Sequence, residues 1–510
     1  MVSINAPAPK ARAFDRLMAL GQSRPEVVLV WVLAIHVAVW TILPWLVCPN
    51  LQLDLVEDLA LGKEWQFGYW KHPPLPWLLA DALYRLTGSI HSVYLLGPLS
   101  AAACFCGVWL LARDVVGRPQ ALLAVVSLEG IHFYNFSVVK FAHDQMQLPF
   151  WAFSGLFFHR ALTRRRPLDW IVAGGCLALA FWSKYAAFAL AATLGLFLLF
   201  DPTARTAWRT SGPYLMALAF AAVIAPNAWW LVDTGFTPFQ YVDHRAIEAT
   251  HWFDYIVFPL RWTGGQILFA LPAIAMLALL YWPGTKLIRT VENPRAAFDR
   301  RLVTALALGP FAVTTLIAVM LGRLPVAMWG YPLWSFAPLA VLMWLGPVTD
   351  AAKVRRFAHG FLAAFIGFPL AYAAIELFEP AVRDRPKATQ FPGQQVADAV
   401  TKAWHDRFGT PLVYVAGSEF AANNIAVYSA DRPHVVVQGR PALSPWIDMN
   451  DLKRRGAIIV WEGQATGPEV DDWRKTFAGM ESQPPLSLKR QALFRTRPSQ
   501  VFYAVLPPQP

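Results

Sequence analysis

The chain has 510 residues, 56% of them hydrophobic and 15% charged, with a mean hydropathy of +0.39. Soluble proteins carry about 25% charged residues, so one soluble globular fold is excluded and a polytopic membrane protein is indicated. The net charge of +11 lies in short segments between apolar runs, which is a topology signal and not the stripe of a nucleic-acid-binding surface.

An N-terminal segment, 1–26, is basic and precedes the first apolar run. That run is about the length of a full span and lacks a small-residue cleavage site, so no cleavable signal peptide is expected. Apolar runs then recur at 27–47, 93–112, 121–139, 147–162, 168–182, 185–200, 214–232, 258–282, 302–321, 326–345 and 357–378. They predict an α-helical membrane domain, 27–378, of about eleven spans. The stretch 168–200 is split at Lys184, because one helix of that length would overshoot the hydrocarbon layer. Cys48, Cys104, Cys106 and Cys176 lie at or within apolar segments without metal-ligand spacing, and no disulfide framework is expected.

Alternate connections are basic: Lys10, Arg12, Arg16 and Arg24; Arg113 and Arg118; Arg160 and Arg164–Arg166; Arg205 and Arg209; Lys286, Arg289, Arg295, Arg300 and Arg301; Lys353, Arg355 and Arg356. The positive-inside rule makes these cytoplasmic and places the first long loop, 48–92, on the opposite face. An odd number of spans puts the remainder, 379–510, on that face too. There the composition turns polar. "PLVYVAG" (411–417), "HVVVQG" (434–439) and "GAIIVWEG" (456–463) read as buried strands, 394–409 as an amphipathic helix with a Gly stop, and 495–508 as a closing strand. A soluble α/β domain is expected.

The loop 48–92 holds the densest charge on its side. Asp54, Glu57 and Asp58 fall at helical i,i+3 and i,i+4 spacing, and "GYWKHPPLPWLLADAL" (68–83) turns at Pro73-Pro74 into an amphipathic helix lying along the surface. Carboxylates beside Lys71 and His72 suit a site that deprotonates a hydroxyl and stabilises a leaving phosphate.

These residues carry a resemblance. The chain resembles bacterial membrane glycosyltransferases of the GT-C class, in the dolichyl-phosphate-mannose-mannosyltransferase-like branch that includes the aminoarabinose transferase of lipid A and rhizobial galacturonosyltransferases. In that branch an acid opens the first outer loop and a "GYY-x-HPPL" motif follows; Asp54 stands eighteen residues before His72 of "GYWKHPPL". "FAHDQMQLPFWAFSGLFF" maps a family Asp onto Asp144, "GGCLALAFWSKYAAFAL" maps onto Ser183, Lys184 and Tyr185, and "PNAWWLVDTGFTPFQYVDHR" maps onto Asn227, His244 and Arg245. Lys71 stands where some relatives carry an acid, and the tail domain lies outside the motifs.

The resemblance implies transfer of a sugar from a polyprenyl-phosphate donor to a lipid A, lipopolysaccharide or other lipid or glycolipid acceptor on the outer face of a bacterial inner membrane. Asp54, with Glu57 and Asp144, would be catalytic, Asp54 acting as general base with inversion. Lys71, Lys184, Arg245 and Arg323 would meet the donor phosphate; Tyr69, His72, Tyr185 and His244 complete the expected binding residues. A divalent metal ion is the one cofactor left open, with no clear ligand set. The competing readings are a transporter or flippase for a lipid-linked saccharide, a protein O-mannosyltransferase-like enzyme, and a membrane scaffold displaying the tail domain.

Overall fold

The computed structural model describes residues 13–282, 294–383, 387–493 and 497–509; Lys10, Arg12, Lys286 and Arg289 of the basic connections lie outside them. A short helix, α1 (Ala13–Ser23), leads into α2 (Pro25–Val47). The first loop folds into α3 (Leu53–Gly62) and α4 (Leu75–Thr87). There follow α5 (Leu96–Val116), α6 (Arg118–Ser127), α7 (His143–Arg164), α8 (Pro167–Ser183), α9 (Phe188–Phe200), α10 (Gly212–Asp233) and α11 (Thr237–Arg245). Strand β1 (Ile247–Glu248) pairs antiparallel with β2 (Arg323–Leu324) around α12 (Asp254–Tyr281) and α13 (Pro294–Met320), and α14 (Ala337–Leu345) and α15 (Ala351–Arg383) complete the bundle.

The chain is a multi-pass membrane protein. Among the described residues six helical stretches are long and apolar enough to cross a bilayer: α2, Ile90–Val116 containing α5, α10, α12, α13, and α15 up to Val382. The break at Lys184 is present: α8 ends at Ser183, Lys184 is extended, and a 3-10 turn leads into α9.

Two expected spans are not continuous helices. In 121–139, α6 stops at Ser127 and 3-10 turns carry the chain to Lys140; in 326–345, a 3-10 turn and a bend precede α14. The cause of the first lies in its side chains. Glu129 is buried against His36 of α2, Oε1 to Nδ1 at 2.8 Å, and Gly130 lets the backbone close on α12, where a Cβ would sit 2.5 Å from the Ala273 nitrogen. Backbone released from a helix in a membrane domain needs other partners. Asn135 supplies them by donating to the carbonyls of Glu129 and Ile131, and Gln266 donates to that of Ala327. The two irregular segments then pack together, with Phe133 stacked on Tyr331 and the Tyr134 hydroxyl 2.9 Å from that of Ser335.

The C-terminal domain is α/β, with α16 (Gly393–Phe408), β3 (Tyr414–Gly417), α17 (Glu419–Tyr428), β4 (His434–Val436), α18 (Met449–Arg455), β5 (Ala457–Glu462), α19 (Pro468–Thr476), β6 (Glu481–Ser482), β7 (Leu486–Leu488) and β8 (Ser499–Leu506). The sheet order is β4-β3-β5-β8-β6, with β7 also on β8; β3 is parallel to β4 and β5, and β8 antiparallel to β5. Alternate strand residues serve two cores. Tyr414, Ala416, Ile459 and Trp461 pack with α18 and α19, while Val415, Ile458, Val460 and Val505 pack with α16 and α17.

The second of these cores does not end at the domain boundary. Leu55, Val56, Leu59 and Trp77 of the first loop belong to it, together with Trp404, Ile425 and Val435. Polar contacts edge the junction: Asn50 donates to Asn424, the Leu51 amide to the Tyr428 hydroxyl, and Glu64 meets His434 at 2.9 Å. The loop that sequence places on the membrane surface is therefore clamped beneath the C-terminal domain.

Gly62 is what lets α3 and α4 approach; a Cβ there would stand 2.1 Å from the Trp77 carbonyl oxygen. Two backbones would have to separate, at about 1–3 kcal/mol. Gly62→Ala is expected to lower the thermal unfolding temperature in detergent, whereas Gly175→Ala, which meets nothing within 4 Å, is expected to leave it level or slightly raised.

Candidate functional site

Five segments converge at one end of the bundle. The turn at residues 69–73 is closed by Tyr69 and His72, each backbone amide donating to the other's carbonyl. Pro74 then caps α4, and Gly88 ends it with a positive φ of 68°. His143, at the start of α7, contacts the Pro73 carbonyl oxygen through Nε2 at 3.1 Å and packs its ring 4.1 Å from that of His72. The proline corner thereby fixes the α7 N-terminus and sets Asp144 beside the loop. Lys184, placed at the break between α8 and α9, donates to Asp144 Oδ1 at 2.6 Å, with both side chains largely buried.

Lys71 is held on both sides. Its ammonium lies 2.6 and 2.7 Å from the two oxygens of Glu57 and 2.8 Å from Glu419, the first residue of α17. Gln438 adds a bond to Glu419 at 3.1 Å. Burial opposes the charge on Lys71, but the two carboxylates outweigh it and raise its pKa. Glu419 is held below the usual glutamate value: burial works against this, and Lys71 and the Gln438 amide overcome it. Glu57 moves the other way. Burial pushes it up to about 8, with Lys71 opposing and the charges of Glu419 and Asp54 adding to the rise.

Asp54 differs from its neighbours. It is partly exposed and makes no side-chain hydrogen bond or ion pair among the described residues. Burial raises its pKa, while the charges of Lys71, Lys140 and Lys184 reach it and oppose the rise. Asp58, one turn on, is 1% exposed and raised well above the ordinary aspartate value, first by burial and then by Asp54 and Glu57. The trio on α3 thus contains a buried acid with a raised pKa, an acid clamped to Lys71 and one acid with no side-chain partner among the described residues.

The structure brings together Asp54, Glu57, Lys71, His72, Asp144 and Lys184. It alters the parts some of them can play. Tyr69 is fully buried, its hydroxyl bonded to the Leu61 carbonyl and its ring edge-on to Trp77, which leaves no face for a sugar. His72 is held well below its usual pKa by burial and then by His143, Lys184, Lys71 and Arg245, so it stands as a neutral ring. Tyr185 bonds Asn227, which in turn donates to the Phe67 carbonyl; both support the turn. Arg245 is exposed and makes no ion pair among the described residues, yet its charge reaches His72. Arg323 pairs with Glu248 across the β1–β2 ribbon at 3.2 Å. The side chain of His244 lies outside the described residues.

Four residues escaped the sequence reading. Glu419 lies in a domain without motifs, and nothing local marks it. His143 precedes Asp144 and was overshadowed by it. Lys140 is exposed, unpaired among the described residues, and flanked by apolar residues, a signal that was available. Tyr331 is 0% exposed and its hydroxyl has no hydrogen-bond partner of normal geometry among the described residues; the charges of Asp144 and Asp54 reach it. Both Lys140 and Tyr331 come from the two segments where expected spans break. No group of three or more His, Cys, Asp or Glu suited to a metal ion is present among the described residues.

Comparison with known proteins finds similarity to glycosyltransferases over part of the chain. A family model described as dolichyl-phosphate-mannose-protein mannosyltransferase matches residues 71–230, which takes in Lys71, His72, Asp144 and Lys184. The lipid A galacturonosyltransferase RgtD of Rhizobium johnstonii is 32% identical over 207 residues, 39% of this chain. The chain spans about two fifths (41%) of the length of that curated relative. The fold is similar to that of ArnT from Cupriavidus metallidurans bound to undecaprenyl phosphate, with a TM-score of 0.59 at 12% identity over 94% of this chain and 99% of that one. The likeness covers 94% of this chain, the C-terminal domain included, so the two chains share an overall fold of a helical membrane domain followed by an α/β domain.

The folded chain keeps the Glu57 proton up to about pH 8, whereas an unfolded chain releases it near the ordinary value of 4.5. Folding therefore loses stability as pH rises through that window. The unfolding temperature of Glu57→Gln minus that of the native chain is expected to be higher at pH 8.5 than at pH 5, whatever the cost of losing the Lys71 pair at both. An equal difference at both pH values would show that Glu57 does not titrate there.

Proposed function

We propose that the chain is an integral membrane glycosyltransferase that moves a sugar from a polyprenyl-phosphate donor to lipid A, or to another lipid acceptor of the cell envelope, at the periplasmic face of the inner membrane. The observation that carries this reading is Asp54: a partly exposed, raised and uncommitted carboxylate amid cations. A carboxylate with a raised pKa is a better base near neutrality. Similarity to RgtD, a lipid A galacturonosyltransferase, supports the acceptor class, and the fold shared with ArnT bound to undecaprenyl phosphate supports the donor class.

In this reading Asp54 accepts the proton of the acceptor hydroxyl as its oxygen attacks the anomeric carbon from the face opposite the phosphate. The bond from that carbon to the phosphate oxygen breaks, the electron pair stays on the phosphate, and configuration inverts. The leaving phosphate needs cations. Lys71 is committed to two carboxylates and His72 is neutral, so the role passes to Lys184, Lys140 and Arg245. Lys184 then shares its ammonium between Asp144 and the phosphate, and Asp144 serves to place it. The Tyr331 hydroxyl is a further donor for the same group. Glu57 serves through Lys71, and the charge between them sets the field at Asp54.

Asp54→Asn is expected to reduce transfer at least about a hundredfold while binding of undecaprenyl phosphate is kept; the mass of lipid A from cells carrying native or variant chain reads the transfer, and an unchanged mass shift sinks the assignment. Lys184→Ala is expected to raise the KM for the polyprenyl-phosphate sugar more than that for the acceptor; equal increases would contradict a phosphate role.

A further inference from the structure

The C-terminal sheet has a crevice of its own. β3 lies between β4 and β5 and is parallel to both. The chain leaves β3 through α17 toward β4 on one side, and leaves β5 through α19 on the other. The connections after these two neighbouring strands therefore part at their carboxyl ends, the position where open parallel sheets hold ligands. Gly417 turns the chain out of β3 with a φ of 114°, and a Cβ there would fall 2.0 Å from the Val460 carbonyl oxygen. The two strand ends are thus packed tightly beneath the gap.

A cavity of about 390 Å³ opens at this position, within the size range of small-molecule sites. Ser418 lines it after β3; Trp461, Glu462, Gln464 and Thr466 line it after β5; and Trp473 closes it from α19. The Ser418 hydroxyl oxygen is buried without a hydrogen-bond partner among the described residues. Among the described residues the lining has carboxylates, hydroxyls, an amide and indole edges and no Lys or Arg, and the one cation whose charge reaches its Glu462 is Arg490, outside the lining. That set repels anions, and it suits a sugar ring, whose hydroxyls donate to carboxylates and whose C–H face lies against aromatic carbon.

The crevice is also wired to the site. Trp473 Nε1 donates to the Gln438 carbonyl at 2.9 Å. Gln438, held at a φ of 54°, donates through its amide to Glu419, which grips Lys71. Ser418 and Glu419 are adjacent in the chain, one facing the crevice and the other the membrane-side site.

We propose that this crevice is a saccharide subsite that takes a neutral or amine-bearing sugar ring of the acceptor; its role in transfer rests on the glycosyltransferase reading above. Binding is tested without turnover, by saturation-transfer NMR on the intact detergent-solubilised chain with N,N′-diacetylchitobiose as probe and inorganic phosphate as competitor. Gly467 lines the cavity and a Cβ on it meets nothing within 4 Å, so Gly467→Trp is the variant chosen to crowd the space. Ser418→Ala removes the orphan hydroxyl. The expected result is saturation transfer to the disaccharide in the native chain, loss of most of it in Gly467→Trp, weakening in Ser418→Ala, and no displacement by phosphate. No transfer in the native chain, equal transfer in Gly467→Trp, or displacement by phosphate overturns the subsite. In a turnover assay Gly467→Trp is expected to raise the acceptor KM roughly tenfold with the donor KM held. If the disaccharide binds but the native chain transfers nothing, the transferase reading fails and the subsite stands. If transfer proceeds with an acceptor KM insensitive to Gly467→Trp, the subsite fails and the transferase reading stands.

Discussion

The architecture around the site depends on the burial of one ammonium group. Lys71 sits between Glu57 and Glu419, residues 362 positions apart in the chain. Taking a charge out of water is unfavourable by several kcal/mol unless partners close around it, and breaking one such pair leaves the other charge stranded. Glu57 alone comes from the loop that carries Lys71. The second partner comes from the C-terminal domain, which must therefore seat itself on that loop. The apolar core shared by α3, α4, α16 and α17 is the continuous surface that makes this seating stable. With α3 pinned from above, Asp54 is held in place with no side-chain partner of its own among the described residues.

Below the loop the constraint is the backbone. A chain inside a membrane domain must satisfy each amide and carbonyl internally, and an irregular stretch persists only where side chains do so. Asn135, Gln145 and Gln266 perform that work here, donating to carbonyls of the broken segments. The breaks bring Lys140 within reach of the charge of Asp54, and Tyr331 within reach of Asp144 and Asp54. The buried His36–Glu129 pair belongs to the same arrangement: it holds the turn after α6 against α2.

The family resemblance singled out Asp54 by its offset from the "HPPL" corner, and Asp144 and Lys184 by their own motifs; the structure brings their charges within reach of one another. The roles were less legible. Lys71 and His72 look from sequence like a basic pair facing a phosphate, yet one is neutralised by two acids and the other loses its charge to burial and neighbouring cations. Tyr69 looks like a surface aromatic and is a core residue. The apolar runs at 121–139 and 326–345 have the composition of spans. What stops them from being helices is the need to pair Glu129 and to pack against α12, and neither partner is nearby in sequence.

By itself, then, the sequence determined what local composition and periodicity decide: a polytopic helical membrane domain, a polar α/β tail with its principal strands, a helix break at Lys184, and an acidic first loop turned by two prolines. These follow from hydrophobicity, backbone restriction and short-range spacing, all of which act within a few turns of chain. Only the tertiary structure decided that the tail closes over the loop, that Glu419 shares Lys71, that Asp54 is the carboxylate left unpaired, and that a crevice opens between the ends of β3 and β5. Burial and charge pairing are settled by residues hundreds of positions away, and no local pattern encodes which of them will meet.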